Sequence, residues 1–361
     1  MTRDSDIAGP SDGTMRAMVL PAFGGGFVEE RRARPRPGPG EVVVRVIACG
    51  AGLTLEHIRQ GAFGGGTPRV LGHEYSGEVA EIGVGVAGWS VGDLVTGTFY
   101  LICGRCPMCV SGHETLCTNL RGLVGIAVDG AFADYIAVPA INLVRLPDGI
   151  DPAVAGIVAD AVATPYHVAT DRLGIKAGDR IAVSGAGGGL GVHMLAVVRA
   201  FGGHAIAVER DPAKLAALRV GGHADAVIDA ATPDWVAAVR DAAGGRLRGY
   251  VDTVGSTATL GGGVAALGPR GTLVVLGFQA GAELRADPLA VLLGEQALVG
   301  TRYATRAEIA AALDLVREGR VRPVIGARFP LSRLSDAFAA ISENRIFGRI
   351  VIDVAPVGGA A

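Results

Sequence analysis

Residues 181–195, IAVSGAGGGLGVHML, carry the fold of this chain in fifteen letters. Ile181–Ser184 is a buried-type apolar strand, residues 185–191 are glycine-rich, and Leu190–Phe201 has helical periodicity. A strand that turns through glycines straight into a helix is the opening unit of a doubly wound sheet. Read against G-x-G-x-x-G, the best register is Ala186-x-Gly188-x-x-Gly191, with Gly189 and Leu190 between the last two glycines. In a chain with 56 glycines such a string alone also reads as an ordinary turn.

What lies downstream separates the two. Strand Ala205–Val208, helix Pro212–Val220, strand Ala226–Ile228, helix Trp235–Ala243, strand Val251–Val254, helix Ala258–Ala266 and strand Thr272–Leu276 follow in alternation. This predicts a parallel α/β sheet of Rossmann type over about residues 154–299. The second strand ends at Glu209, eighteen residues after Gly191. There a carboxylate binds the ribose hydroxyls of a dinucleotide whose pyrophosphate lies at the helix N-terminus against Gly188. An acid in that place repels a 2′-phosphate, so NAD(H) is favoured over NADP(H); the adjacent Arg210 is the residue that would take the phosphate instead.

Before and after this segment the texture differs. Short β-rich runs (Val42–Ile47, Glu78–Ile82, Leu94–Thr98, Ala133–Val138) are broken by Gly and Pro, which predicts an irregular β-barrel-like lobe over 15–153. The tail, 300–361, is expected to rejoin it through the helix Arg306–Glu318 and the strand Arg349–Asp353, making the β-rich domain discontinuous. Inserted in that lobe are Cys103, Cys106, Cys109 and Cys117, spaced C-x2-C-x2-C-x7-C, four of the chain's five cysteines. One loop can wrap four thiolates around zinc at about 2.3 Å; such a closed shell holds structure and does no chemistry. Two disulfides, or four unrelated thiols, are the alternatives. His113, inside the loop, reads as a solvated residue and not a fifth ligand.

The whole chain narrows the function classes. Its 361 residues suggest about two domains, and 50% hydrophobic with 19% charged residues is ordinary for a globular protein. A net charge of −2 provides no field for nucleic acid or an anionic membrane. No apolar run reaches the roughly 18 residues that span a bilayer. Residues 1–14 hold Asp4, Asp6 and Asp12 and no apolar core, so they read as a disordered extension and not a signal peptide; a cytoplasmic location is expected.

Gly72-His73-Glu74-x2-Gly77-x5-Gly83-x2-Val86 matches the signature G-H-E-x2-G-x5-G-x2-V at every fixed position. With the cysteine loop, the glycine turn and Phe347-Gly348-Arg349 in the same order, the chain resembles the medium-chain dehydrogenase/reductase family, in its zinc-containing alcohol dehydrogenase branch. The resemblance covers about residues 15–355 and implies a GroES-like catalytic domain beside the Rossmann domain. It also implies hydride transfer between a nicotinamide cofactor and an alcohol, carbonyl or enone substrate, and a homodimer or homotetramer. Such members carry a catalytic zinc between their domains, whose ligands map here onto His73, Glu74 and Asp160. The usual first ligand, a cysteine, falls on Gly52, which has no side chain, and Cys49 matches the earlier, non-ligating cysteine. Thr54 and His57 match the family's proton relay, and Arg349 the arginine that contacts the cofactor pyrophosphate.

Three readings follow from the resemblance. A weak zinc site of His73, Glu74, Asp160 and water serves alcohol/carbonyl chemistry. Alternatively the site is metal-free, Thr54, His57 or Glu56 supplies protons, and an activated C=C or C=O is reduced. In the third, chemistry is lost and a nucleotide-binding module remains. Residues near Thr54, Phe63, Phe99, Tyr100 and Leu123 are expected to wall the substrate site. Trp89 and Trp235 read as packing residues; Gly255–Thr259 reads as a helix cap at a strand end, where cofactor-lining loops sit in this fold, and capping alone explains its Ser and Thr residues.

Overall fold

The strand Arg180–Ser184 sits inside a six-stranded, wholly parallel sheet in a computed structural model that describes residues 13–62 and 64–356. The expected extension up to residue 12, and Phe63, lie outside the described residues. Thr14, expected in that extension, instead opens the strand Thr14–Leu20 and pairs with Ala33.

The parallel sheet runs, in spatial order, Ala226–Asp229, His204–Glu209, Arg180–Ser184, Leu247–Asp252, Thr272–Val275 and Ala297–Gly300. The chain starts in the middle, winds outward one way, then returns and winds the other. Right-handed strand–helix–strand crossovers generate this order, and it leaves a switch point beside the first strand. The expected strand over 251–254 lies earlier, at Leu247–Asp252, with a bulge between Leu247 and Gly249; the last strand and the helix Pro288–Leu293 escaped the sequence reading. Ile206, Val208, Val239, Tyr250, Leu260 and Leu273 form its core, with Trp235 packed against them. Burying apolar surface of this kind contributes about 25 cal/mol per Å².

The β-rich unit is built on a seven-stranded sheet: Ile325–Pro330, Arg349–Asp353, Glu41–Ala51, Glu74–Ile82, Leu94–Gly97 and Leu143–Arg145 in order, with Tyr135–Pro139 also on Glu41–Ala51. The C-terminal strand Arg349–Asp353 pairs antiparallel with Glu41–Ala51, bringing Ile350 opposite Ala51. The helix Pro152–Ile157, capped by Asp151, packs on Glu41–Ala51 and Glu74–Ile82, and Ile157 joins a core of Ile47, Ala48 and Val351.

The division between units differs from the expected bounds. Among the described residues, the β-rich unit extends to Asp160 and includes 305–317 and 325–356, whereas 161–304 and 318–324 belong to the other. The helix at 152–157 stays with the β-rich unit because its buried face covers that sheet. No helix among the described residues is long and apolar enough to cross a membrane.

Candidate functional site

Four sulfurs converge in the cysteine loop. Ligand atoms of Cys103, Cys106, Cys109 and Cys117 all lie within 4.8 Å of one another, and none of these cysteines is in a disulfide. Cys106 Sγ is 3.5 Å from Cys109 Sγ and 3.8 Å from Cys117 Sγ. Four ligands at about 2.3 Å from a tetrahedral centre are about 3.8 Å apart, so the spacing fits one zinc ion and not a sulfur–sulfur bond. Backbone N–H groups of Cys103 and Cys106 point at Cys117 Sγ and Cys103 Sγ, each at 3.4 Å, as they do toward thiolates. His113 is exposed and outside this cluster. Arg306 ties the loop to its own helix, donating to Glu114 at 3.0 Å through Nε.

In the same unit His73, Glu74 and Asp160 come together. Gly72, at φ +97, makes the left-handed turn before them; a Cβ there would press on Cys49 Sγ and Phe132 at 3.0 Å. Glu74 opens its strand opposite Gly50, and Asp160 is carried by a wide π-helical turn, Val158–Val162, a geometry frequent at functional sites. All three side chains are buried and offer ligand atoms within 4.8 Å of each other. The His73 ring stacks on Phe99 with centroids 4.6 Å apart, Phe99 lies on Tyr100 at 4.2 Å, and Tyr100 bridges to Leu123. Burial pulls His73 down to about 4; burial also pushes Glu74 up to about 7, against the opposing pull of Arg349.

Arg349 is the residue whose placement differs from expectation. Its guanidinium turns into this cluster and binds it: Nε donates to Glu74 Oε2 at 3.0 Å, Nη2 to Glu74 Oε1, and Nη2 to Asp160 Oδ2 at 3.2 Å. It is 4% exposed. Gly52, where a ligating cysteine was sought, lies against it: a Cβ on Gly52 would stand 2.5 Å from Arg349 Cζ and closer still to Nη1. Gly50 gives way to Glu74 in the same manner, its Cβ position being 3.0 Å from Glu74 Cδ. Cys49 is buried, its Sγ turned to the Gly50 carbonyl at 3.5 Å, and it is not a member of the cluster. These residues therefore do not fit a catalytic zinc. Both Glu74 oxygens and one Asp160 oxygen are engaged by a guanidinium, and the position of the thiolate ligand has no donor atom.

The helix Leu53–Arg59 begins directly after Gly52 and carries Thr54 and His57 one turn apart, both half-buried. Burial lowers the His57 pKa, with Glu56 pulling the other way. Glu56 is engaged on its own helix. It holds Arg59 at 2.7 and 2.8 Å and accepts from Gln60 at 3.0 Å; burial raises its pKa, but these bonds outweigh it and keep the carboxyl ionised.

The parallel unit carries the second constellation. Gly188, Gly189 and Leu190 are half-exposed at the end of strand Arg180–Ser184, and Gly191 starts the helix. A Cβ on Gly191 would meet Ala186 Cα at 2.8 Å and the Gly185 carbonyl closer still, so only glycine lets the helix approach the strand. Glu209 lies buried under the turn, accepting from Gly187 N at 3.0 Å, Arg210 N at 2.8 Å and Asp211 N at 3.1 Å. A carboxylate has about four lone-pair sites, which leaves room for a hydroxyl. Arg210 itself is exposed.

Two residues here escaped the sequence reading. Lys214, buried against Gly187, has its pKa lowered by burial and raised by Glu209; being one of only two lysines, five positions after Glu209, was the available signal. His193 Nδ1 is 2.6 Å from the Gly189 carbonyl, while Nε2 accepts from Val324 N at 2.8 Å, so it ties the turn to the returning segment. Ser256 and Thr259 form a capping box, as expected.

A family profile described as "Alcohol dehydrogenase GroES-like domain" matches residues 38–148, and one described as "Zinc-binding dehydrogenase" matches residues 189–318. An alcohol dehydrogenase of Geobacillus stearothermophilus is 31% identical over 342 residues, 94% of this chain and 98% of that protein. An acryloyl-coenzyme A reductase of Metallosphaera sedula is 29% identical, covering 94% of this chain and 99% of its own. The crystal structure of an NAD-dependent alcohol dehydrogenase superposes with a TM-score of 0.88 at 30% identity, covering 94% of this chain and all of that one (100%).

Proposed function

Because this chain belongs to the zinc-containing alcohol dehydrogenase family of medium-chain dehydrogenase/reductases, we propose that it transfers hydride between a nicotinamide cofactor and a small carbonyl-bearing substrate. The observation that carries this is the glycine turn whose Gly187 N–H is tied to the buried Glu209 carboxylate at a strand end. Residues 188–191 would take the pyrophosphate at the helix N-terminus, and Glu209, helped by Lys214, the adenosine ribose. The negative charge of Glu209 favours NAD(H) over NADP(H). When bound, the nicotinamide supplies or accepts hydride at its ring.

The remaining work falls to this chain's own side chains. In reduction the substrate carbon gains a hydride, the electron pair of the reduced bond moves to oxygen, and a proton must follow. Thr54, with a neutral donor hydroxyl, supplies that proton, and His57 restores it from solvent. Phe99 and Tyr100 offer an apolar wall beside His73. No step passes through a metal at His73, Glu74 and Asp160. One zinc in the four-cysteine loop would clamp the β-rich unit and leave no open position for substrate.

A second copy of this chain is the partner we assign to the parallel unit. Leu289, Leu292 and Leu293 are 62, 69 and 73% exposed, next to the edge strand Ala297–Gly300, whose open ladder can pair with its own copy about a two-fold axis.

The test is turnover. NADH oxidation is expected with carbonyl or enone substrates, reduced at least tenfold in Thr54→Val. The wild-type rate should fall as pH rises through a point below the ordinary histidine value of 6.5, because His57 is depressed and must be protonated to give its proton. Coenzyme binding without turnover on any alcohol, ketone or enone would leave only a nucleotide-binding module.

A further inference from the structure

Gly52 and Arg349 are complementary. Arg349 precedes Ile350, which pairs with Ala51 across the antiparallel ladder, so the arginine and the glycine meet at the ends of adjacent strands. The guanidinium carbon stands 2.5 Å from where a Gly52 Cβ would be, and any side chain at 52 would displace it. From that place it reaches both oxygens of Glu74 and one of Asp160. We propose that the Arg349 guanidinium has taken the place of the catalytic metal. It is the resident cation of the His73, Glu74 and Asp160 cluster, and Gly52 is the residue that makes room for it.

Three observations support the exchange together. A zinc ion entering here would have to take carboxylate lone pairs that already accept from Arg349, at 3.0 Å for Nε and 3.2 Å for Nη2 to Asp160. It would also sit beside a fixed positive charge in a buried site, where like charges repel with little screening. At position 52 it would find no donor atom, while Cys49, the other thiol nearby, is turned to the Gly50 carbonyl. A planar guanidinium suits two carboxylates because its N–H groups form a rigid fork.

The exchange selects a substrate class, on the premise that the hydride-transfer reading above holds. Zinc draws on a substrate oxygen's lone pair through an open coordination position and lowers an alcohol's pKa. A guanidinium held by two carboxylates has no such position. The reacting bond must therefore bring its own polarisation, as does a C=C conjugated to a ketone or thioester carbonyl. Hydride adds at the β-carbon, the π electrons move to the carbonyl oxygen as an enolate, and a proton from the Thr54 and His57 side completes the saturated product.

Zinc per chain, counted on the full-length protein after zinc loading and desalting, tests the exchange apart from activity. Wild type, Asp160→Asn and Gly52→Cys should hold equal zinc. Gly52→Cys/Arg349→Ala, which restores a thiol and removes the guanidinium, should hold one ion more. If wild type loses one zinc on Asp160→Asn, the cluster already binds metal and the proposal falls; this comparison decides even where the double variant does not fold. A folded double variant with no added zinc overturns it too. Separately, NADH-dependent reduction of conjugated enones should exceed alcohol oxidation at least a hundredfold in kcat/KM, and simple alcohols turned over as fast as enones would refute the substrate class. Failure of every substrate would instead refute hydride transfer, leaving the zinc counts to stand.

Discussion

Replacing Gly52 with alanine isolates the contact on which the site turns. Gly52 has φ −153 and ψ −177, extended backbone that any residue adopts, so the substitution has no intrinsic backbone cost. Considered alone it should stabilise slightly, by about 0.4–1 kcal/mol, through the unfolded chain. The obstacle is Arg349. A new Cβ 2.5 Å from Cζ must move to an ordinary carbon–carbon separation of about 3.5–4.0 Å, so the guanidinium recedes by about 1 Å. That shift breaks the 3.2 Å bond to Asp160 and loosens the fork on Glu74. Overpacking costs about 1–3 kcal/mol and a lost charge-assisted bond about 1.5–3 kcal/mol; less the unfolded-chain gain, the net destabilisation is about 1.5–5.5 kcal/mol. Trp89, under the Arg145 guanidinium, lies in the β-rich unit, and Trp235 lies in the other. In a Trp235→Phe background, urea unfolding followed by Trp89 fluorescence reads the affected unit alone. In an Arg349→Ala background the obstacle is gone and the same Gly52→Ala change should be neutral or slightly stabilising, leaving a coupling energy of about 2.5–6 kcal/mol between the two positions. If Gly52→Ala stays within about 0.5 kcal/mol of its parent while Arg349 is present, the two residues are not in contact and the reasoning is wrong.

Cys106→Ser should lower zinc content by one ion per chain and shift the Trp89 transition to lower denaturant while the Trp235 transition holds; equal zinc in both proteins would show that the loop binds none. Glu209→Ala removes an acceptor from three backbone N–H groups, so NADH should bind about tenfold or more weakly and lose ground to NADPH in a fluorescence titration. An unchanged NADH/NADPH ratio would deny Glu209 its part in coenzyme choice. Leu292→Glu should reduce the mass seen by light scattering to that of one chain, and an unaltered oligomer would move the interface elsewhere.

The parallel unit was largely legible because its signals are local. A strand, a glycine turn, a helix and an acid at the next strand end sit within thirty residues, and each element's periodicity is read without knowing its partners. Gly191 could be assigned its close approach from motif alone, and the contact with Ala186 agrees. The last strand, Ala297–Gly300, was missed because it is short and largely exposed, so its pattern lacks the apolar run that marks an inner strand. In the β-rich unit the cysteine spacing was sufficient to bring four sulfurs together, since loop closure over so few residues leaves few other arrangements. For Glu56 the spacing was readable but not used: Arg59 and Gln60, three and four residues on, share its helical face and occupy its carboxylate.

Gly52 marks where sequence reading stops. In the chain it is an absence, a ligand position without a ligand. In the fold it is half of a pair whose other half lies on the C-terminal strand Arg349–Asp353, brought alongside by antiparallel register and not by any spacing that can be counted. Read separately, each residue points to a different function: Gly52 to a degraded metal site, Arg349 to a pyrophosphate contact. Read together they point to one cation exchanged for another, since a cation between two buried carboxylates offsets the cost of burying them. Substitution at one position without the other should leave a site that binds neither cation well, so these two residues are expected to change only as a pair.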